Sequence, residues 1–172
     1  MPFDFLHLGM MLRTATKTDL QVINAIYNQA VEDRFSTAQL LPVTQKERNQ
    51  WFREHDPLQS PVYVYEDAEV VQGWVSLGPY RKGRQALKHV AEVSYYVARE
   101  HRGRGIGRTL LGHAISVAPG LGYSVLIAIL LGGNIPSIRL LEKYGFERWG
   151  SMPGIARIEG AEADHLYYGL KL

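Results

Sequence analysis

Leu20, Ile23, Ile26, Tyr27, Ala30 and Val31 recur three and four residues apart, the spacing at which side chains share one helix face. The run Thr18-Asp19-Leu20-Gln21 has the form of a capping box, so a first helix is predicted to open there. A short strand at about 11–15 precedes it. Thr44-Gln45-Lys46-Glu47 repeats the capping signature and predicts a second helix carrying Trp51 and Phe52. Next come "VYVYE" (62–66) and "EVVQGWVSL" (69–77), rich in β-branched and aromatic residues and joined tightly enough for a hairpin. After a polar loop at 78–88, "VAEVSYYVA" (90–98) predicts another strand. "IGRTLLGHAISVA" (106–118) places Ile106, Leu110, Leu111, Ala114, Ile115 and Ala118 on one helical stripe. "YSVLIAIL" (123–130) is almost wholly apolar, as expected of a strand covered on both faces. Asn134 caps a helix that runs through Tyr144, with Gly145 at the stop position. Strands at about 146–152 and 164–171 complete the series.

The predicted order is β-α-α-β-β-β-α-β-α-β-β. That order describes an α/β (α+β) fold with a central mixed, mostly antiparallel twisted sheet and helices on both faces. At 172 residues the chain forms one domain with room for a proper core. Residues 11–172 make up that domain, and residues 1–10 read as an N-terminal extension. "MPFDFLHLGM" is apolar but lacks a basic stretch and a small-residue cleavage site, and it carries Asp4. No window approaches the roughly 18 apolar residues of a membrane span, so no membrane partner is expected.

Composition narrows the chemistry. The net charge of +2 gives no long-range field favouring nucleic acid. The absence of cysteine excludes disulfides, thiolate metal sites and a cysteine nucleophile, and it fits a reducing cytoplasm. The six histidines show no ligand spacing, so no metal is expected.

Three glycines and three arginines fall within "EHRGRGIGR" (100–108), between a predicted strand and a predicted helix. In that setting backbone N–H groups and the helix dipole hold an anion. A Walker A loop needs glycines five apart before Lys-Ser/Thr, whereas Gly103 and Gly107 are four apart and Arg108 stands where the lysine belongs. The dinucleotide fingerprint fails because Gly103 and Gly105 require a glycine at Arg108. A nucleic-acid patch is disfavoured, since the arginines occupy one turn without interleaved aromatics. A glycine-rich turn with solvated arginines stays open on spacing alone.

The remaining pattern, R-x-x-G-x-G at Arg102-Gly103-Arg104-Gly105-Ile106-Gly107, resembles the GNAT superfamily of acetyl-CoA-dependent N-acetyltransferases. "SYYV" (94–97), the element order and "NIPSIRLLEKYGF" (134–146) fit the same superfamily, and the resemblance covers about residues 11–171. Within it the chain looks most like the phosphinothricin and methionine-sulfoximine acetyltransferase branch. The supporting residues are "YN" (27–28), "PVT" (42–44), "GPYRKGRQAL" (78–87), "AEVSYYV" (91–97) and Asp164.

The resemblance implies that Arg102, Gly103, Arg104, Gly105, Ile106, Gly107 and Arg108 hold the acetyl-CoA pyrophosphate. It further implies that Tyr95, Tyr96 and Val97 present main-chain groups to the pantetheine arm and thioester. Asn134 and Ser137 match polar contacts to the coenzyme, a role Asn134 can combine with capping its helix. Glu92 occupies the position of a carboxylate acting as general base, the alternative being a structural carboxylate paired with an arginine.

Two departures stand out. Where the superfamily often carries a tyrosine acid and the branch a histidine, this chain has Leu141; Tyr144, on the same helical face, is the nearest substitute, the favoured alternative being a core or helix-end tyrosine. Where the branch reads F-x-T-E-P, the chain has Ala38-Gln39-Leu40-Leu41-Pro42. Arg84 sits near the branch's substrate-loop arginine, as a carboxylate clamp or as a solvated loop residue.

The implied activity is acetyl transfer to the primary amine of a small, amino-acid-like molecule by a cytoplasmic homodimer. An acyl-CoA-binding regulatory domain with little catalysis, or an enzyme for peptide or protein amines, is the alternative.

Overall fold

The computed structural model describes residues 10–172. The reading of residues 1–10 as an extension therefore lies outside the described residues except at Met10, which opens the first strand. Eleven elements follow in chain order: β1 (Met10–Thr14), α1 (Leu20–Glu32), α2 (Gln45–Arg53), β2 (Val62–Asp67), β3 (Val70–Pro79), β4 (Val90–Val97), α3 (Ile106–Val117), β5 (Val125–Leu131), α4 (Ile135–Lys143), β6 (Glu147–Ile158) and β7 (Ala161–Lys171). This is the order the periodicity predicts.

The seven strands form one sheet in the order β1-β2-β3-β4-β5-β7-β6. Every neighbouring pair is antiparallel except β4 and β5, whose connection passes through α3. Alternation along β3 shows how one strand feeds both faces. Val75 and Leu77 join Leu110, Leu111 and Ala114 of α3 in one core, while Trp74 joins Ile23 and Ile26 of α1 in the other. Leu126 of β5, Leu141 of α4 and Phe146 belong to the first core.

Local structure departs from the sequence reading in two places. The first capping box is closed two residues earlier than Thr18 and Gln21: Thr16 and Asp19 form it. Asp19 wins because its buried carboxylate accepts the Thr16 backbone N–H at 2.7 Å and both terminal nitrogens of Arg13, at 2.7 and 2.8 Å. The last two strands are also longer than expected, and they meet at a turn in which Glu159 and Gly160 have φ of 52° and 85°. A register shift between Met152 and Ala156 absorbs Pro153, which is why the sequence around Pro153 and Gly154 does not read as strand. The second capping box stands as predicted: Glu47 N–H donates to Thr44 Oγ1 at 3.2 Å, and the Glu47 carboxylate accepts from Thr44 N–H at 2.8 Å.

Candidate active site

Parallel pairing of β4 with β5 covers only Val90, Ala91 and Glu92. Beyond Glu92, β4 stays paired with β3 through Val97, and β5 stays paired with β7 through Leu131. The two strands therefore diverge, and the β5-facing edge of residues 93–97 keeps main-chain groups with no strand partner. Buried main-chain groups require partners, so such an edge suits a ligand with amide groups. A slot of about 40 Å³ lies in the fork, walled by Val93–Tyr96 and Ala128–Leu130 and flanked by Asn134, Ser137 and Leu141.

On one side the slot adjoins a groove of about 380 Å³ at the start of α3. Tyr95, Tyr96, Val97, Arg102, Gly103, Gly105, Ile106, Gly107, Arg108, Asn134 and Ser137 line it, so the structure brings together the expected coenzyme residues other than Arg104. Gly103 and Gly105 have φ of 75° and 85°, in the left-handed region that glycine enters without strain. No side chain caps α3, whose first N–H groups are thus left for a ligand. A Cβ built on Gly103 meets nothing within 4 Å, so the loop is an open cradle. These features fit a pyrophosphate-bearing acyl carrier.

The arginines of the loop divide by role. Arg102 pairs with Asp33 at 2.7 Å and donates from Nε to the Val97 carbonyl at 3.2 Å, bracing the loop against the end of α1. Arg104 and Arg108 are exposed and make no ion pair among the described residues. Asn134 caps α4, its Oδ1 accepting from Ser137 N–H at 3.3 Å. The Ser137 hydroxyl in turn bonds that of Tyr95, whose pKa burial pushes up to about 12.

On the other side lies a cleft of about 460 Å³, to which α1, α2, β3, β4, β5 and β7 contribute. Glu92, Ser94 and Tyr96 alternate along β4 and share this face. Glu92 is the last β4 residue paired to β5, so its carboxyl stands at the vertex of the fork. Burial raises its pKa above the ordinary carboxylate value, and no cation pairs with it among the described residues. Burial also raises the pKa of Tyr96, which feels both Glu92 and Arg48.

The sequence reading missed Arg48. It is 4% exposed, and its guanidinium lies over the rings of Trp51, Tyr27 and Trp74 at 4.6, 4.7 and 5.6 Å. A signal was available: Arg48 stands three and four residues before Trp51 and Phe52, on the buried stripe of α2 rather than its polar face. The segment before α2 is held to α1 by Asn28, which donates to the Val43 carbonyl at 3.0 Å and accepts its N–H at 2.8 Å. Asn24 donates to the same carbonyl at 2.8 Å.

Two candidate residues are not brought to the cleft. Tyr144 packs against α3: its hydroxyl donates to the Arg108 carbonyl at 2.8 Å, and Gly112 provides the space, since a Cβ there lies 2.8 Å from that hydroxyl. Helical spacing put it on the face of Leu141, but it stands at the C-cap, where the helix ends and the ring turns to α3. Arg84 lies in the exposed loop between β3 and β4. It lines a separate depression with Pro79, Lys82, His89 and Tyr123. Leu141 is 1% exposed and belongs to the core. Among the described residues no cluster of His, Asp and Glu could hold a metal ion, and no helix is long and apolar enough to cross a membrane.

The model of the acetyltransferase (GNAT) family matches residues 23–146. The chain belongs to the GNAT family. YwnH of Bacillus subtilis (strain 168), whose name carries a provisional assignment as a phosphinothricin acetyltransferase, is 42% identical over 95% of this chain and 99% of its own. The L-methionine sulfoximine/L-methionine sulfone acetyltransferase of Salmonella typhimurium is 33% identical over 95% of each chain. The GNAT phosphinothricin acetyltransferase from Sinorhizobium meliloti, solved in complex with acetyl-CoA, superposes with a TM-score of 0.89. It is 28% identical, over 96% of this chain and 89% of that one. The protein is thus a GNAT N-acetyltransferase, an enzyme class that uses acetyl-CoA.

Proposed function

We propose that this GNAT enzyme transfers the acetyl group directly to the primary amine of a small, amino-acid-like acceptor of the phosphinothricin or methionine sulfoximine kind, with Glu92 as general base. The observation that carries the reading is the Glu92 carboxyl itself: it faces the cleft at the vertex of the fork, and burial raises its pKa without a cationic partner. A base near neutral pH needs that shift. The missing ion pair disfavours the alternative in which Glu92 is a structural partner of an arginine.

Acetyl-CoA, when bound, would supply the acetyl group as a thioester; coenzyme A is released as the thiolate and gains, through solvent, the second proton that the amine loses as the amide forms. The glycine loop and the start of α3 hold its phosphates, and the Tyr95–Val97 edge orients the acyl end. Glu92 takes the proton of the acceptor ammonium. Leu141 has no proton to give and Tyr144 is engaged with α3, so the thiolate leaves without a side-chain acid. A thiol pKa of about 8.5 makes that departure tolerable.

A cleft of about 460 Å³ has the size of small-molecule sites, which supports a free amino acid over a protein amine. Leu141 is the observation that favours a second reading, a regulatory acetyl-CoA-binding domain. The proposal extends to a cytoplasmic homodimer, for which the exposed Trp149, Met152 and Ile155 on the outer strand β6 offer an apolar contact surface.

Release of free thiol from acetyl-CoA, measured over methionine sulfoximine, phosphinothricin, free amino acids and polyamines, tests the function. Turnover confined to amino-acid-like acceptors is expected. Release at background level with every amine supports the binding domain instead.

A further inference from the structure

The acceptor cleft contains a buried cation that the transfer reaction does not use. Arg48 is more than nine-tenths buried, and the one hydrogen bond its guanidinium makes among the described residues runs from Nε to Asn24 Oδ1, at 3.2 Å. A guanidinium carries five N–H donors, so four of them, all on the terminal nitrogens, have no protein acceptor. No carboxylate pairs with it either. Desolvation lowers its pKa, yet an arginine stays charged inside proteins. The three aromatic rings offset part of the desolvation by cation–π attraction, but they accept no conventional hydrogen bond. A second donor in the same cleft is unpartnered: Trp74 Nε1 is buried without an acceptor.

The remaining charged groups of the cleft leave this cation uncompensated. Glu47 lines it too, but its carboxylate is held by the Thr44 N–H and hydroxyl, at 2.8 and 2.7 Å. Glu92 makes no ion pair with Arg48. The cleft therefore offers one carboxyl and one guanidinium, separated and unmatched. Such a pair is complementary to a molecule that carries an ammonium and an anion together.

We propose that Arg48 is the specificity-determining residue of the acceptor site: its planar fork binds the acceptor's carboxylate, or an equivalent oxyanion, while the acceptor's amine lies toward Glu92. A planar fork and a carboxylate match two hydrogen bonds at once, which a lysine does not reproduce. The site selects zwitterionic amino acids and excludes polyamines, whose second cation meets Arg48. Arg84, in its outer depression, plays no part in it.

This inference rests on the acetyl-transfer reading, and the test separates the two. The probes are L-methionine sulfoximine and the amine formed when its carboxyl group is replaced by hydrogen. For each, kcat/KM is measured in the wild type, Arg48→Gln and Arg48→Lys, alongside KM for acetyl-CoA and the melting temperature. The wild type is expected to prefer the amino acid by about 100-fold or more. Arg48→Gln should bring that ratio close to one, chiefly by raising KM for the amino acid, with KM for acetyl-CoA unchanged. Arg48→Lys should lower the ratio at least tenfold, and it carries the test where Arg48→Gln does not fold.

A ratio that persists in a folded variant overturns the assignment of Arg48 and leaves the transfer reaction standing. Binding of the amino acid alone, followed by calorimetry, covers the converse case. Binding that Arg48→Gln weakens about 100-fold, with no thiol release from any amine, removes the reaction and keeps the anion site. No binding and no release overturn both.

Discussion

A carboxyl can work as a base only while it is ionised, and burial makes Glu92 harder to ionise than a free glutamate. The sign follows directly: because its pKa in the folded protein is raised, kcat/KM for the amine should fall as pH drops through a value above the ordinary carboxylate range. Glu92→Gln should remove that acid limb and lower turnover by about 10²–10⁴-fold, with little change in KM for acetyl-CoA. An active variant with the same pH profile ends the base assignment. Tyr144 provides the contrast. Tyr144→Phe forfeits one hydrogen bond to the Arg108 carbonyl and should cost about 1 kcal/mol in urea unfolding while turnover is retained. A loss of turnover beyond what destabilisation explains would return Tyr144 to the mechanism. Glu92 could be picked out from its place in a motif, whereas Arg48 carried only the weaker signal of its place on the buried stripe of α2. Arginine on a helix is ordinarily a solvated residue, and only the three rings that close over its guanidinium make it otherwise.

Element types and order were legible because most elements keep a regular hydrophobic period, and α1, α3 and β5 differ little from the readings of their stripes. The failures lie where local chemistry competes with period. Asp19 is drawn to Arg13 and so moves the cap, and Pro153 breaks the alternation of a strand that the hairpin nevertheless continues. Close approach between elements is invisible in the same way. Gly73 of β3 lies opposite Val97, and a Cβ there stands 2.9 Å from the Tyr96 carbonyl and 3.0 and 3.2 Å from Leu110 and Ile106 of α3. Gly73→Ala should therefore push away from β3 the two elements, β4 and α3, that wall the groove proposed for the coenzyme. The expected result is a loss of about 1–3 kcal/mol in urea unfolding together with a raised KM for acetyl-CoA. Unchanged values of both would mean that the strands accommodate a methyl group without moving.

At the scale of the whole molecule, the site is a property of topology more than of any one residue. Two cores, one on each face, fix the helices, and the single parallel pairing between β4 and β5 creates the opening between them. Sequence patterns report which strands exist but not where two neighbours cease to pair, so the fork could be expected only through family likeness. An open sheet has two outer edges, each a template on which another chain can add a strand, and proteins blunt them with charge, proline or twist. The fork gives this sheet two additional edges inside the fold, and they are protected by a different device, narrowness. A slot of about 40 Å³ excludes a second polypeptide while remaining open to something as slender as a single chain of methylenes and amides. The fork, because it is so narrow, thus lets the molecule leave part of a β-strand unpaired without becoming a seed for aggregation.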